Sequence, residues 1–142
     1  MSGGSLCDYG QYKIGEIARE VLKLIQDNEK GYYEGDYYDP ETNTMKKRIV
    51  YGYDDEGNEI TDKPEGWARY TPETIRTFKH SYLNLIEAEL YAHRIDWLIS
   101  GDDSEESFSD RVGEDMLELK NHINILVANN WKYQEEDIES TS

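Results

Sequence analysis

The sequence is poor in the features that mark secreted, metal-stabilised and membrane proteins. Its one cysteine, Cys7, cannot close an internal disulfide, and no Cys-x-x-Cys or Cys/His spacing of a metal finger occurs. No apolar run approaches the roughly 18 residues that a membrane span requires. Residues 1–5 carry neither a basic n-region nor an apolar h-region. We therefore expect a cytoplasmic protein that makes no contact with membranes.

Basic residues are also scarce. The 142-residue chain has 15 Lys and Arg against 31 Asp and Glu, a formal net charge of −16. Such a chain repels phosphates, which argues against direct nucleic-acid binding. The mean hydropathy of −0.89 is low, but aromatic residues make up 12% and apolar residues recur with helical spacing. These features favour a folded acidic domain over a disordered chain.

The apolar pattern predicts a first helix over residues 11–30. Apolar side chains recur there at steps of three and four, which gives one buried stripe. Gly31 can take the left-handed conformation that closes a helix. The stripe consists of Ile14, Ile17, Ala18, Val21, Leu22, Leu24 and Ile25.

The period changes in the next thirty residues, which are rich in tyrosine. Extended segments are predicted at 32–38, 45–53 and 58–61. Residues 39–43 and 54–58 supply the Pro, Gly, Asn and Asp that tight turns need. We predict a two- or three-stranded antiparallel meander.

Two long helices are predicted after the meander. Thr71 as N-cap, Pro72 at the first helical position and Glu73 in the first turn mark the start of the second helix. A tight turn at 101–104 follows, and a third helix runs to Asn129–Asn130. So short a turn makes the pair an antiparallel hairpin. The third helix's predicted apolar face is Phe108, Val112, Met116, Leu119, Ile123, Leu126 and Val127.

These elements predict an α+β fold. It combines an N-terminal helix, a small Tyr-rich antiparallel meander and a long antiparallel helical hairpin. We assign residues 11–133 to a single domain that packs all three parts together. Residues 1–10 are predicted to be a flexible N-terminus, and 134–142 a flexible acidic tail.

The two arms of the hairpin each carry a Glu-x-x-x-His pair, Glu89/His93 and Glu118/His122. Residues four apart share a helix face, so each pair could present two metal ligands. With the turn centred near Asp102, however, the two histidines differ in level by about 11 residues, or roughly 16 Å. We therefore predict no metal site, and instead a polar cluster that brings Glu89 near Asp115 and His93 near Arg111.

Other chemistries have little support in the sequence. Residues 54–59 are acidic, but their glycine stands at the fourth position rather than the sixth that a calcium loop requires, so a hairpin turn is predicted. No Gly-x-Ser-x-Gly elbow, phosphate-cradling glycine loop or Cys/His pair is present. We predict no cofactor and no catalytic residues. A small enzyme using acid catalysis stays open as the third choice of function.

Acidic residues are concentrated at the start of the third helix. Between 102 and 118 there are eight acids against one base, Arg111. An ordinary solvated face would intersperse Lys or Arg. Four of the eight recur every fourth residue and form one column on the helix, here called the acidic column: Glu106, Asp110, Glu114 and Glu118. The four others, predicted to support it, are Asp102, Asp103, Glu105 and Asp115.

Tyrosines crowd the meander, whose two faces cannot both be buried in so short a chain. Some of them must be exposed, and tyrosine is a favoured interface anchor. The alternative is that they cover the helices and pack across strands. The short basic run 46–48 is predicted to pair with nearby acids. The tyrosines predicted to contact a partner are Tyr37, Tyr38, Tyr51 and Tyr53, with Tyr32 and Tyr33 nearby.

The charge pattern leads to a functional hypothesis. A carboxylate about every 6 Å along a helix imitates a sparse strand of phosphates, and would suit the basic groove of a nucleic-acid-handling protein, such as a nuclease or a defence complex. In size and composition the chain is similar to the acidic anti-CRISPR and anti-restriction inhibitors, DNA mimics of phages and mobile elements, that act in the host cytoplasm. The alternatives are an immunity protein or antitoxin, or an adaptor, that binds a basic partner.

Overall fold

A computed structural model describes residues 9–132 of the protein. Most of the predicted flexible N-terminus and the whole predicted acidic tail lie outside the described residues. Within residues 9–132 there are three helices and one two-stranded antiparallel sheet. The helices are α1 (Gln11–Gln26), α2 (Pro72–Ile99) and α3 (Glu105–Ala128), and the strands are β1 (Tyr32–Asp39) and β2 (Thr44–Val50). The predicted α+β class is confirmed.

The described chain divides into two compact units. The strands and the loops around them form one unit, over Asp27–Pro72, and the three helices form the other. The assignment of 11–133 to a single domain stays a prediction.

The core of the helical unit is small and mainly aliphatic and aromatic. Buried Ala18 and Ile25 from α1 meet Tyr82 from α2 and Leu126 from α3, and Val21, Leu22, Phe78 and Ile86 pack around them. These residues occupy positions three, four or seven apart on their helices, so the apolar periodicity predicted the core faces correctly. Burial of such side chains stabilises each by about 1.5–3 kcal/mol.

The helical hairpin forms as its end signals predict. Helix α2 begins at Pro72, directly after Thr71. Gly101, with φ +84°, turns the chain after α2. Ser104 then caps α3, because its hydroxyl accepts a hydrogen bond from the Ser107 backbone N–H at 3.1 Å.

The C-terminal end of α3 adds a core residue that periodicity did not predict. Asn130 and Trp131 both take positive φ values, 55° and 65°. The Trp131 N–H donates to the carbonyl of Leu126 at 2.7 Å, which satisfies one of the last helical carbonyls. This turn buries the Trp131 ring edge-on against Tyr82, with the ring centroids 5.8 Å apart.

The sheet unit is a twisted hairpin closed at its base by polar contacts. Strands β1 and β2 pair antiparallel, with an irregularity between Tyr33 and Asp36. The third predicted strand is reduced to a bridge between Tyr53 and Glu59. At the base, the Arg69 guanidinium donates to the carbonyls of Lys30 and Gly31 at 2.7 and 2.8 Å.

Three details of the helices differ from the prediction. Helix α1 ends at Gln26, four residues early, and the chain turns there, since the Lys30 N–H donates to the Asp27 carbonyl at 3.0 Å in place of the helical bond to Gln26. Ile17 and Val127, both assigned to buried stripes, are at least half exposed. Each helix contacts its neighbours over a narrower arc than the sequence stripes span.

Candidate functional site

The acidic column lies on the outward face of α3. All four of its carboxylates, Glu106, Asp110, Glu114 and Glu118, are exposed. They follow one another by one helical turn, so the column extends about 18 Å along a straight helix. Each four-residue step also turns by about 40°, so the column winds by roughly 120° from Glu106 to Glu118. All four residues are accessible, and Glu118 also lines the cleft between the helices, beside Leu119.

Two further predicted acids lie at the start of this face. Asp102, in the turn, and Glu105, in the first turn of α3, are both exposed. The N-terminal end of a helix carries a partial positive charge, which stabilises carboxylates placed there by about 0.3–1 kcal/mol each. This offsets part of the repulsion between like charges four residues apart, about 0.2–0.5 kcal/mol per pair.

The remaining two predicted acids, Asp103 and Asp115, belong to the interior. The Asp103 side chain is only 3% exposed and lies 3.5 Å from Arg111 and 3.8 Å from Arg94. Asp115 accepts from the Arg94 Nε at 2.5 Å. The structure therefore does not expose these two carboxylates with the column, and their contact with a partner stays a prediction. Asp103 lies in the turn before α3, and Asp115 lies on the side of α3 that contacts Arg94 of α2.

Arg94 is the centre of this inner ion cluster. Its side chain is 14% exposed, and it holds the two carboxylates between the arms of the hairpin. The hydrogen bond that Arg94 donates to Asp115 raises the pKa of Arg94 above its ordinary value, and the charges of Asp115 and Asp103 act in the same direction. The cluster is structural, because its acids are neutralised within the molecule.

A cleft of about 420 Å³, which the sequence did not predict, lies where the three helices meet. On one wall the Tyr82 hydroxyl and His122 Nε2 are hydrogen bonded at 2.9 Å. Burial and the charge of Glu89 raise the pKa of Tyr82. On another wall the Glu89 carboxylate lies so close to Gly15 that a Cβ there would collide with it. The cleft is lined by Gly15, Ala18, Arg19, Tyr82, Ile86, Glu89, Leu90, Asp115, Glu118, Leu119 and His122.

The two histidines considered above as metal ligands contact different residues. His122 is bonded to Tyr82, whereas the His93 ring packs on Trp97, with centroids 5.3 Å apart. Tyr82 precedes Asp102 by as many residues as His122 follows it. Because the two side chains are hydrogen bonded, the register predicted from a turn centred near Asp102 is confirmed. Among residues 9–132, no group of three or more His, Cys, Asp or Glu could hold a metal ion.

The acidic segment weighed as a calcium loop is a turn. The Asp54 carboxylate accepts from the backbone N–H groups of Glu56 and Asn58 at 3.0 and 2.8 Å. Gly57 has φ +84°, as the turn requires. The carboxylate is therefore engaged by its own backbone, and the predicted hairpin turn is confirmed.

The predicted tyrosines do not behave alike. Tyr37, Tyr38 and Tyr53 are exposed in the sheet unit, but Tyr51 is half-buried, because its ring packs edge-on against Trp67 at 5.0 Å. Tyr33, which was not among the predicted partner contacts, is also exposed. Three of the four predicted tyrosines are thus available to a partner.

The basic run on β2 is largely neutralised within the sheet unit. Lys46 Nζ lies 2.8 Å from Asp39 Oδ2, and Arg48 pairs with Glu59. The hydrogen bond from Lys46 is the main cause that lowers the pKa of Asp39. The predicted pairing of these bases with nearby acids is confirmed.

Comparisons with known proteins give no relative from which a function could be carried over. No protein-family model, no curated protein sequence and no solved structure matches the chain. Within the described part of the chain, no helix combines the length and the apolar character needed to cross a bilayer.

Proposed function

We propose that the protein is an acidic inhibitor that occupies the basic nucleic-acid-binding surface of a partner protein, with the acidic column as its contact surface. The observation that carries the proposal is the division of the acids in the hairpin turn and α3 into two sets. Asp103 and Asp115 contact arginines within the protein. The four residues of the column are exposed, and Glu118 also lines the cleft.

The spacing of the column supports this role. Each strand of duplex DNA carries one charge per roughly 3.4 Å, and the column carries one per about 6 Å. Asp102 and Glu105 raise the density at its N-terminal end. Lysines and arginines in a groove that binds phosphates would meet carboxylates at a comparable pitch, and release of counterions would favour the complex.

The energetics predict how such a complex forms. Exposed charges contribute about 0–1 kcal/mol each when paired, so no single carboxylate dominates. Their joint field steers association, and its effect falls with ionic strength. The exposed tyrosines Tyr37, Tyr38 and Tyr53 provide a second surface, which would carry the binding if the column does not.

A panel of purified nucleases with basic grooves tests the proposal, including restriction endonucleases and Cas9–guide RNA complexes. Cleavage of a labelled duplex is measured with increasing amounts of the protein. We expect inhibition of at least one enzyme, relieved by excess DNA that competes for the groove. For that enzyme, Asp110→Lys with Glu114→Lys should slow association at least tenfold and weaken its salt dependence.

The control has the same change in net charge at a distant place. Asp55→Lys with Glu65→Lys replaces two exposed acids of the sheet unit and should keep most of the inhibition. If no enzyme of the panel is inhibited, or if inhibition is insensitive to salt and to the reversal in the column, the proposal is wrong. A tight basic partner with which DNA does not compete would instead indicate an immunity protein, an antitoxin or an adaptor.

A further inference from the structure

One face of α2 carries a row of exposed apolar side chains. Tyr91, Ile95 and Ile99 are 39%, 41% and 55% exposed. They follow one another at four-residue steps, so they share one face of the helix. Ala88, also exposed, precedes them by three residues. These four side chains form the apolar stripe.

Toward the N-terminus of α2, the same face carries no charged side chain. Asn84 and Thr77 are exposed and Ser81 is half-buried, and each follows the spacing of the stripe at three or four residues. The face thus runs for about six turns without an acid or a base, in a chain of which 32% is charged.

The inner side of the same helix has the opposite character. Asp96 is fully buried and accepts from Gln11 Nε2 at 3.1 Å. Arg94 and Glu89 also point into the helical unit. In an isolated helical protein the apolar face turns inward and the charges turn outward. In α2 between residues 88 and 99, several charged side chains turn inward while the apolar stripe is left at the surface.

We infer that the apolar stripe is a dimerisation surface, on which a second copy of this chain packs its own α2 in antiparallel orientation. The absence of charge on this face favours a second copy of the chain as the partner. A two-fold interface places a surface against itself, so an uncharged face is self-complementary, whereas an acidic face is self-repelling. A basic partner held by the acidic column would gain little from burying Tyr91, Ile95 and Ile99.

The sizes of the side chains fit the same arrangement. A two-fold axis passing between Tyr91 and Ala92 brings Ile95 of one copy opposite Ala88 of the other. It also brings Ile99 opposite Asn84. Large side chains then face smaller ones along the contact, which is how antiparallel helices interdigitate.

The dimer should be weak and should strengthen with salt. The stripe consists of four partly exposed side chains, too few to bury the roughly 800 Å² per partner of a standard stable interface. Two copies of net charge −16 also repel one another. Salt shortens the screening length from about 10 Å at 0.1 M to about 3 Å at 1 M. Dimerisation therefore rises with salt, whereas binding through the acidic column falls.

Sedimentation equilibrium of the full chain, from micromolar to millimolar concentration at low and high salt, tests the inference. We expect a monomer–dimer equilibrium with a dissociation constant that falls severalfold at high salt. Ile95→Glu should weaken the dimer at least tenfold. Leu117→Glu, which adds the same charge at an exposed leucine of α3, should leave it unchanged within about twofold once salt screens its charge.

A second variant tests the same surface in case Ile95→Glu fails to fold. Ile99→Asn changes the last residue of α2, where folding tolerates polar side chains, and should also weaken the dimer. A wild-type protein that is monomeric at millimolar concentration and high salt would overturn the inference. So would a dimer that survives both Ile95→Glu and Ile99→Asn, or one that Leu117→Glu disrupts equally. The charge reversals in the acidic column test the proposed function separately, because they leave the stripe intact.

Discussion

The two arms of the helical hairpin use charge in opposite ways. On α3, the four carboxylates of the column are exposed, while Asp115, together with Asp103 in the preceding turn, contacts arginines. On α2, Arg94 and Asp96 face inward, and Tyr91, Ile95 and Ile99 are exposed. Inward charges are paired and position the helices, so they belong to the fold. Outward acids in one column serve no packing role and weaken the helix slightly, which is why we relate them to binding.

The largest expected effect comes from breaking the inner cluster. Arg94→Ala leaves the almost fully buried Asp103 and the partly buried Asp115 with one cation fewer. Removal of one partner from a buried ion pair costs about 3–5 kcal/mol, and the partial exposure of this pair reduces the cost to about 2–3 kcal/mol. Urea denaturation should show this loss in the free energy of unfolding.

The matched control for Arg94→Ala is Arg111→Ala. Arg111 also contacts Asp103, but its side chain is half exposed. We expect a loss below about 1 kcal/mol. Equal losses in the free energy of unfolding for the two variants would show that the inward-facing Arg94 contributes no more to stability than the half-exposed Arg111.

A smaller effect is expected from the hydrogen bond between the arms. Tyr82→Phe keeps the ring in the core but removes the hydroxyl that bonds His122. The net loss should be about 1 kcal/mol, typical of one hydrogen bond. Thermal unfolding should show it, and His122→Ala in the Tyr82→Phe background should add little because the bond is already gone. Additive losses would contradict a direct pairing.

The reversal in the acidic column should hardly change stability. Asp110→Lys with Glu114→Lys converts repelling neighbours four residues apart into attracting ones along the column. The free energy of unfolding should stay within about 0.5 kcal/mol of the wild type or rise. The gain should shrink in high salt. A loss above 1 kcal/mol would mean that the column is part of the fold.

The smallest effect concerns an exposed pair in the sheet unit. The pKa of Asp39 is lowered by Lys46, so its contribution to stability is present above the ordinary carboxyl range and is lost as the pH falls through the lowered pKa. A carboxyl-carbon NMR titration should find the Asp39 midpoint below about 3.9. Lys46→Met should move it upward, and Lys47→Met, on the opposite face of β2, should leave it nearly unchanged.

Local signals predicted the helices and their register well. Thr71-Pro72 marked the start of α2, and the tight turn near Asp102 placed Tyr82 level with His122. These features depend on residues close in sequence or on counting from one turn. The predicted extent of α1 was wrong: residues after Gln26 form a turn, in which Asn28 bonds Arg69 and Tyr70, about forty residues away.

The candidate surface was predicted only in part. A four-residue period identifies the column, but it does not reveal the rotation of α3 that brings Asp115 to Arg94, or the conformation of the turn that buries Asp103. That rotation depends on Arg94, whose place opposite Asp115 follows from packing. The apolar stripe on α2 was missed for a related reason. The sequence offers apolar residues on several sides of α2, and only the packed structure shows which side stays at the surface.

The inner cluster also fixes the axial register of the two arms of the hairpin. A shift by one turn, about 5.4 Å, would separate Arg94 from Asp115 and leave that carboxylate without its counter-charge. The backbone position of each carboxylate of the column relative to the hairpin turn is therefore set when the chain folds. For a partner of the kind proposed, the backbone entropy of arranging these charges has been lost before the two molecules meet.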